Sequence, residues 1–319
     1  MIHKVLTRPE FEKAPPVLID IGASGKIHSV WKKIARYAIC IAFDADDRDF
    51  GYVKEESGKY RKLYTFNCIV SDQDVEDSDF YLTQSPHCSS LLPPDEKAVA
   101  DLAFAEKFQV KKVVKIKTTT LPKVLQELNM HYVDWFKSDS QGIDLRLFKS
   151  LGDNIIPKVL VAEFEPGIMD SYVGEDKLHK ILSYMDQTQH FWASDMIIKG
   201  DRKISPRNLK AVFRSSKMQK LGRFSLKQNA GWAEITYLNQ FKTENNFSQR
   251  DYLLGWVLST IQEHHGFALH LAQCGSENFD DVIWSSLIKY SRQKLKQNIV
   301  KLKFMPAVRI KINQFLGKD

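Results

Sequence analysis

The segment Val17-Leu18-Ile19-Asp20-Ile21-Gly22-Ala23-Ser24-Gly25 constrains the fold more than any other stretch. An apolar run bounded by Pro15-Pro16 on one side and by glycine on the other reads as a buried strand. Ile27, Val30, Trp31, Ile34 and Tyr37 follow at helical spacing and predict a helix over residues 26–37. Strand, glycine turn and helix in that order form the βα unit of an open α/β sheet, which offers backbone N–H groups to a ligand at the strand's carboxyl end. Glycine in the turn permits close backbone approach and positive φ. The acid at the strand tip selects among ligands, because Asp20 repels a pyrophosphate and attracts a cationic amino group.

A second apolar strand, Ala38 to Phe43, ends in Asp44, with Asp46 and Asp47 just beyond. An acid at a second strand tip, roughly 20 residues after the glycine turn, is where nucleoside-binding α/β units hold the ribose hydroxyls. In this crowd of acids the alternative reading of Asp44 is a solvated turn residue. Two acidic strand tips without G-x-G-x-x-G fit S-adenosylmethionine better than NAD.

Further strands are expected at 63–70 (closed by Ser71-Asp72), 132–139, 158–164, 191–198 and 232–238. Helices are expected after Thr120, with Pro122 in the first turn, across 143–151 with Gly152 behind it, and across 177–187. This alternation predicts an α/β fold with a mostly parallel seven-stranded sheet and helices on both faces. Residues 201–230 read as a basic, irregular insertion with a short helix. After residue 245 the strand signal ends. The expected organisation is a sheet domain at 1–245, opening with a lead-in segment, and an α-helical extension at 246–319.

Charge narrows the partners. Of the formal net charge of +7, the last forty residues carry nine basic against three acidic side chains. The basic character falls to that tail, and a nucleic-acid groove in the sheet domain is not expected. Between Lys289 and Lys311, lysines interleave with Ile299, Val300, Leu302, Phe304, Val308 and Ile310. Such a segment can lie on an anionic membrane or dock as an ordinary helix. No run approaches the length of a membrane span, no secretion signal stands out, and Cys40, Cys68, Cys88 and Cys274 form no metal or disulfide pattern. The expected location is the cytoplasm, with peripheral contact at the inner membrane face through the tail.

Several of these motifs together resemble the FkbM-type family of S-adenosylmethionine-dependent methyltransferases. Asp20-Ile21-Gly22-Ala23 is similar to the family's turn after strand one, Phe43-Asp44 to its aromatic-acid pair, and Thr120-Leu121 to the residues before its fourth strand. The most specific match is Lys137-Ser138-Asp139-Ser140-Gln141-Gly142-Ile143-Asp144, similar to the family's strand-four signature. Ser89-Ser90-Leu91 and Glu163 also resemble family positions. The likeness spans roughly 15–240. Gln141 stands where many members have Glu, and Asp44 where Glu is more usual.

The resemblance implies a Rossmann-like methyltransferase fold, S-adenosylmethionine as cofactor, and a sugar, glycan or other small natural product as hydroxyl acceptor. Cofactor contacts are expected from Asp20, from the turn Gly22, Ala23, Ser24 and Gly25, from Asp44, and from Ser71 or Asp72 near the adenine. Asp139 is the candidate base or acceptor-positioning group, flanked by Lys137 and Gln141, with Glu163 on the next strand. The competing reading of Asp139 is a helix cap. His28 is a further candidate base. No metal is expected. Alternatives are N-methylation of an amino sugar or protein, and a cofactor-binding module without turnover, which Gln141 keeps open.

Overall fold

The computed structural model describes residues 1–23, 28, 30–43 and 57–303. Ser24, Gly25 and Asp44, and the tail from 304 onward, lie outside the described residues. Two compact units result: Pro15–Asn245, and a second made of Met1–Ala14 with Asn246–Asp319.

The larger unit is an α/β sheet domain. Its central strands are β1 (Val17–Ile21), β2 (Ile39–Phe43), β3 (Lys62–Phe66), β8 (Trp135–Ser138), β9 (Val161–Phe164), β10 (Phe191–Lys199) and β11 (Trp232–Asn239). They run in the order β10-β11-β9-β8-β1-β2-β3. The pairings from β3 through β9 are parallel, and β11 is antiparallel to both β9 and β10. Numbering only these seven gives 3-2-1-4-5-7-6, the open nucleotide-binding order with a reversed strand let in before the edge. The order reverses direction between β1 and β8. In open α/β sheets ligands bind at such a reversal, outside the carboxyl ends of the strands.

One sheet face is packed by α4 (Leu121–Glu127), α5 (Asp144–Ser150) and α6 (Leu178–Thr188). Ile19, Phe136, Ala162 and Phe164 of the strands meet Leu121, Val124, Phe148 and Ile181 of these helices in a single apolar cluster. Phe136, Phe148 and Phe164 pack at centroid distances of 5.2–5.8 Å. Thr120 caps α4 by accepting the Lys123 N–H, with proline in the first turn. On the opposite face Trp31 packs edge-on against Trp135.

Trp31 does not lie in the helix expected over 26–37. The described residues there form two 3-10 turns, Trp31–Lys33 and Ala35–Tyr37. Apolar residues at 31, 34 and 37 recur every third position, which suits three residues per turn as well as 3.6. The strand expected at 63–70 also divides. β3 stops at Phe66, and β4 (Ile69–Val70) leaves to pair with β7 (Thr118–Thr119). A second ladder joins β5 (Ser78–Thr83) to β6 (Val110–Ile116), and α3 (Glu96–Val99) lies between them in sequence. Residues 201–230 form a helical hairpin, α7 (Pro206–Val212) and α8 (Ser216–Ser225).

The smaller unit is helical: α1 (Ile2–Leu6), α2 (Pro9–Lys13), α9 (Gln249–Ile261), α10 (His265–Asn278) and α11 (Ile283–Lys303). Residues 1–14, expected as a lead-in to the sheet, belong here because Val5, Leu6 and Phe11 are buried and Arg8 pairs with Asp281 at 2.5 Å. Ser248 and Asp251 form a capping box on α9. A Cβ on Gly275 would fall 2.5 Å from the Trp284 ring, so glycine lets α10 and α11 approach closely. Among the described residues no helix is long and apolar enough to cross a membrane.

Candidate functional site

Three neighbouring parallel strands place a row of charge on one sheet face. Asp20 of β1 is in register with Lys137 of β8, and Lys137 with Glu163 of β9. In-register residues on parallel strands project to the same side. Lys137 Nζ donates to Asp20 Oδ1 at 2.9 Å, with both side chains largely out of water. The carboxylate expected to receive a ligand's amino group therefore already has a cation.

The tips of β1 and β8 are locked together. Asp139 N–H donates to the Ile21 carbonyl at 3.0 Å. Gly22 adopts φ +76°, and a Cβ there would lie 2.3 Å from the Asp139 carbonyl oxygen. Only glycine satisfies both the backbone angle and the approach. The Gly22 and Ala23 N–H groups both donate to the Phe43 carbonyl, at 3.0 and 3.1 Å. The Ala23 N–H expected to line a ligand carboxylate is thus spent on strand β2.

Asp139 is half-buried, and it does not cap α5. The bracing acid is Asp144, fully buried at the start of that helix. It accepts from the Ser138 and Ser140 hydroxyls and from the Ser140 and Glu165 N–H groups. Asp139 instead accepts from Gln141 Nε2. Gln141 sits in the left-handed region at φ 56°, and Ser90 Oγ donates to its carbonyl at 2.7 Å. The Tyr172 hydroxyl lies 3.0 Å from Gln141 Oε1 and 3.0 Å from the Cys88 carbonyl, so the amide orientation follows from its partners. A glutamate at 141 would turn a carboxylate toward Asp139, where the amide donates.

Burial raises three acids of this cluster. Asp139 is pushed up to about 6 and Glu163 to about 7, each against the pull of Lys137. Glu165 is pushed up to about 9 by burial and by the nearby Asp139 carboxylate. Burial alone would lower Lys137, but Asp20 and Asp139 outweigh it and hold the ammonium charged. Four carboxylates, Asp20, Asp139, Glu163 and Glu165, thus act on one lysine.

His28 lies within electrostatic reach of Lys137 and Asp20, and burial lowers its pKa. Its Nδ1 is buried with no hydrogen-bond partner among the described residues. Ser71 and Asp72, expected near the adenine, follow β4, which pairs with β7 and not with the central sheet. Ser71 N–H extends the β4–β7 ladder to Thr119, and its hydroxyl donates to Asp72 at 3.1 Å. Among the described residues no group of three or more His, Cys, Asp or Glu is arranged to hold a metal ion.

The sequence reading omitted Glu165 and Tyr172. Glu165 was detectable as the second acid of an i, i+2 pair at a strand's carboxyl end, where alternate residues share a side. Tyr172 lies in a loop 31 residues from Gln141, and nothing local announces the contact. Comparison with family models, with curated proteins and with solved structures finds no match to this chain.

Proposed function

We propose that this chain is an S-adenosylmethionine-dependent O-methyltransferase, with its cofactor in the crevice outside the carboxyl ends of β1 and β8. The observation that carries the reading is charge. Four carboxylates surround one lysine, burial pushes three of them up, and an added cation would relieve the excess. The cofactor is cationic at its sulfur and its amino group. The sheet order supports the same place, because ligands of open α/β sheets bind where strand order reverses. So does the meeting there of the two most specific stretches of the FkbM-type resemblance, 20–23 and 137–144.

The bound cofactor supplies a methyl group activated by positive sulfur. Gly22 keeps the β1 tip against β8, so that the wall of the site is backbone. Asp20 holds Lys137 in place. Asp139 carries charge that Lys137 leaves unmatched and would meet the cationic ligand, and Glu165, protonated near neutral pH without it, would give up its proton to the same cation. Asp139, raised to about 6, is a base at neutral pH, and Gln141 orients it toward an acceptor hydroxyl. His28, kept neutral by burial, is the second group able to take that proton. The acceptor class, a sugar or glycan hydroxyl, comes from the family resemblance.

Calorimetry with S-adenosylmethionine, followed by transfer of labelled methyl to a glycan extract, tests the proposal. The wild type is expected to bind and transfer. Asp139→Asn is expected to bind within a few-fold and transfer about 10²–10⁴ times more slowly, the usual worth of a positioned base. Label on an amino sugar or protein would favour the N-methylation alternative, and binding without transfer would favour the non-catalytic module. A wild type that binds no cofactor ends the reading.

A further inference from the structure

We propose that the α7–α8 hairpin is a docking surface for an anionic lipid bilayer, on which it lies without crossing. The hairpin is firmly based. Asn229 N–H donates to the Asp201 carbonyl and Gly231 N–H to the Lys199 carbonyl, both at 2.8 Å, while Asn229 Oδ1 accepts from Asp201 N–H at 2.8 Å. Arg223 of α8 reaches back to the buried Asp201 carboxylate, with Nε at 2.9 Å. A Cβ on Gly222 would fall 2.2 Å from the Phe213 ring, so the Gly222 side of α8 is its packed side.

The adjoining side of α8, centred about 100° round from Gly222, carries large exposed apolar side chains. Phe224 is 74% exposed, Leu221 61% and Met218 47%, and Val212 at the end of α7 is 66% exposed. At 100° per residue Met218, Leu221 and Phe224 span one face of about 120°, with Lys217 between Phe224 and Leu221 and Lys220 about 40° beyond Phe224. The Arg202 guanidinium carbon lies 5.8 Å from the Phe224 ring centre.

Charge chooses the occupant. Residues 201–230 hold nine basic side chains and one acid, Asp201. Lys203, Lys210 and Arg223 are paired with Asp101, Glu106 and Asp201. Arg207, Arg214, Lys217, Lys220 and Lys227 enter no ion pair among the described residues, and all five are exposed. Large apolar side chains set among unneutralised lysines match a headgroup layer over acyl chains, which buries one and neutralises the other. Nucleic acid would neutralise the lysines and leave Leu221 and Phe224 in water. The position also fits. β10 runs parallel to β9, so the hairpin leaves the sheet at the edge that carries the crevice.

The test is sedimentation of the full chain with vesicles of phosphatidylcholine alone and of phosphatidylcholine with phosphatidylserine. The wild type is expected to sediment with the anionic vesicles and to release as salt rises. Lys217→Gln with Lys220→Gln should weaken partitioning about thirtyfold, taking about 1 kcal/mol per basic residue at the surface. Leu221→Ser with Phe224→Ser should weaken it on both lipids, with an unchanged melting temperature showing the fold intact. Removal of residues 304–319 should leave the hairpin's contribution in place. Three results overturn the proposal: no sedimentation of the wild type, sedimentation indifferent to both double variants, or a dimer in ultracentrifugation that Phe224→Ser dissociates, which would give this face to a second copy.

Discussion

At the carboxyl edge of the sheet, Lys137 sits among four carboxylates, each with neighbours that restrict what it can do. At the same edge, the hairpin segment 201–230 carries nine basic residues against one acid, most of them in water. Charge withdrawn from water must be paired or hydrogen-bonded, because an orphaned charge costs several kcal/mol. Each crevice residue is therefore fixed by the residue beside it. Charge left in water costs almost nothing, so the hairpin's exposed, unpaired lysines and arginines are not required by the fold. A crevice is legible through its internal contacts; a surface like the hairpin is legible through what it lacks.

That contrast is testable by substitution. Gly22→Ala should have the largest effect. It forces a Cβ toward the Asp139 carbonyl at 2.3 Å and places alanine at φ +76°. Overpacking and the left-handed backbone together cost about 4 kcal/mol. Urea unfolding measures it, and a loss below about 1 kcal/mol would mean that the two strand tips separate freely. Asp144→Ala comes next, at about 3 kcal/mol, because it strands two hydroxyls and two N–H groups inside the protein. Asp144→Asn should recover part of that loss, as its amide oxygen still accepts.

The third effect is smaller and depends on pH. Asp139, Glu163 and Glu165 have folded-state values above their ordinary ones. The folded protein then holds more protons than the unfolded chain, so their contribution to stability is greatest at acid pH and is lost as pH rises through about 6 to 9. A cationic ligand favours the ionised carboxylates and releases those protons. S-adenosylmethionine should therefore stabilise more at pH 8 than at pH 5.5, by about 1 kcal/mol or roughly 2–4 °C in Tm for a domain of this size. Melting curves with and without ligand at the two pH values decide it, and a shift larger at acid pH would contradict the charge argument.

The strand tips were readable because their signals are local: an apolar run, an acid and a glycine, then Lys137 to Asp144 as one continuous stretch. The salt bridge that organises them was not, since it depends on the register between strands 117 residues apart in sequence. The strand expected over 63–70, which Ser71 and Asp72 close, divided for a related reason. The apolar run 63–70 is unbroken in sequence, yet its last two residues pair with β7 and not with the central sheet. The helix expected over 26–37 failed because a three-residue period satisfies two 3-10 turns equally. The net charge of the whole chain pointed to the tail, because acids elsewhere cancel the hairpin's own excess. Which face of α8 is uncovered depends on Phe213 packing at Gly222, a contact that composition does not encode.

The smallest effect separates the two regions most sharply. Leu221→Ser and Phe224→Ser exchange large apolar groups for small polar ones, a change that costs 2–5 kcal/mol inside a core. Here both side chains are more than half exposed, and the bracing of the hairpin runs through Arg223, Asp201 and Asn229 on its other side. The double variant should unfold within about 0.5 kcal/mol of wild type, and more solubly, because an exposed apolar patch is removed. A loss of 2 kcal/mol or more in urea titration would show that these residues pack within the fold. The hairpin would then obey the same pairing logic as the crevice, and the contrast between them would fail.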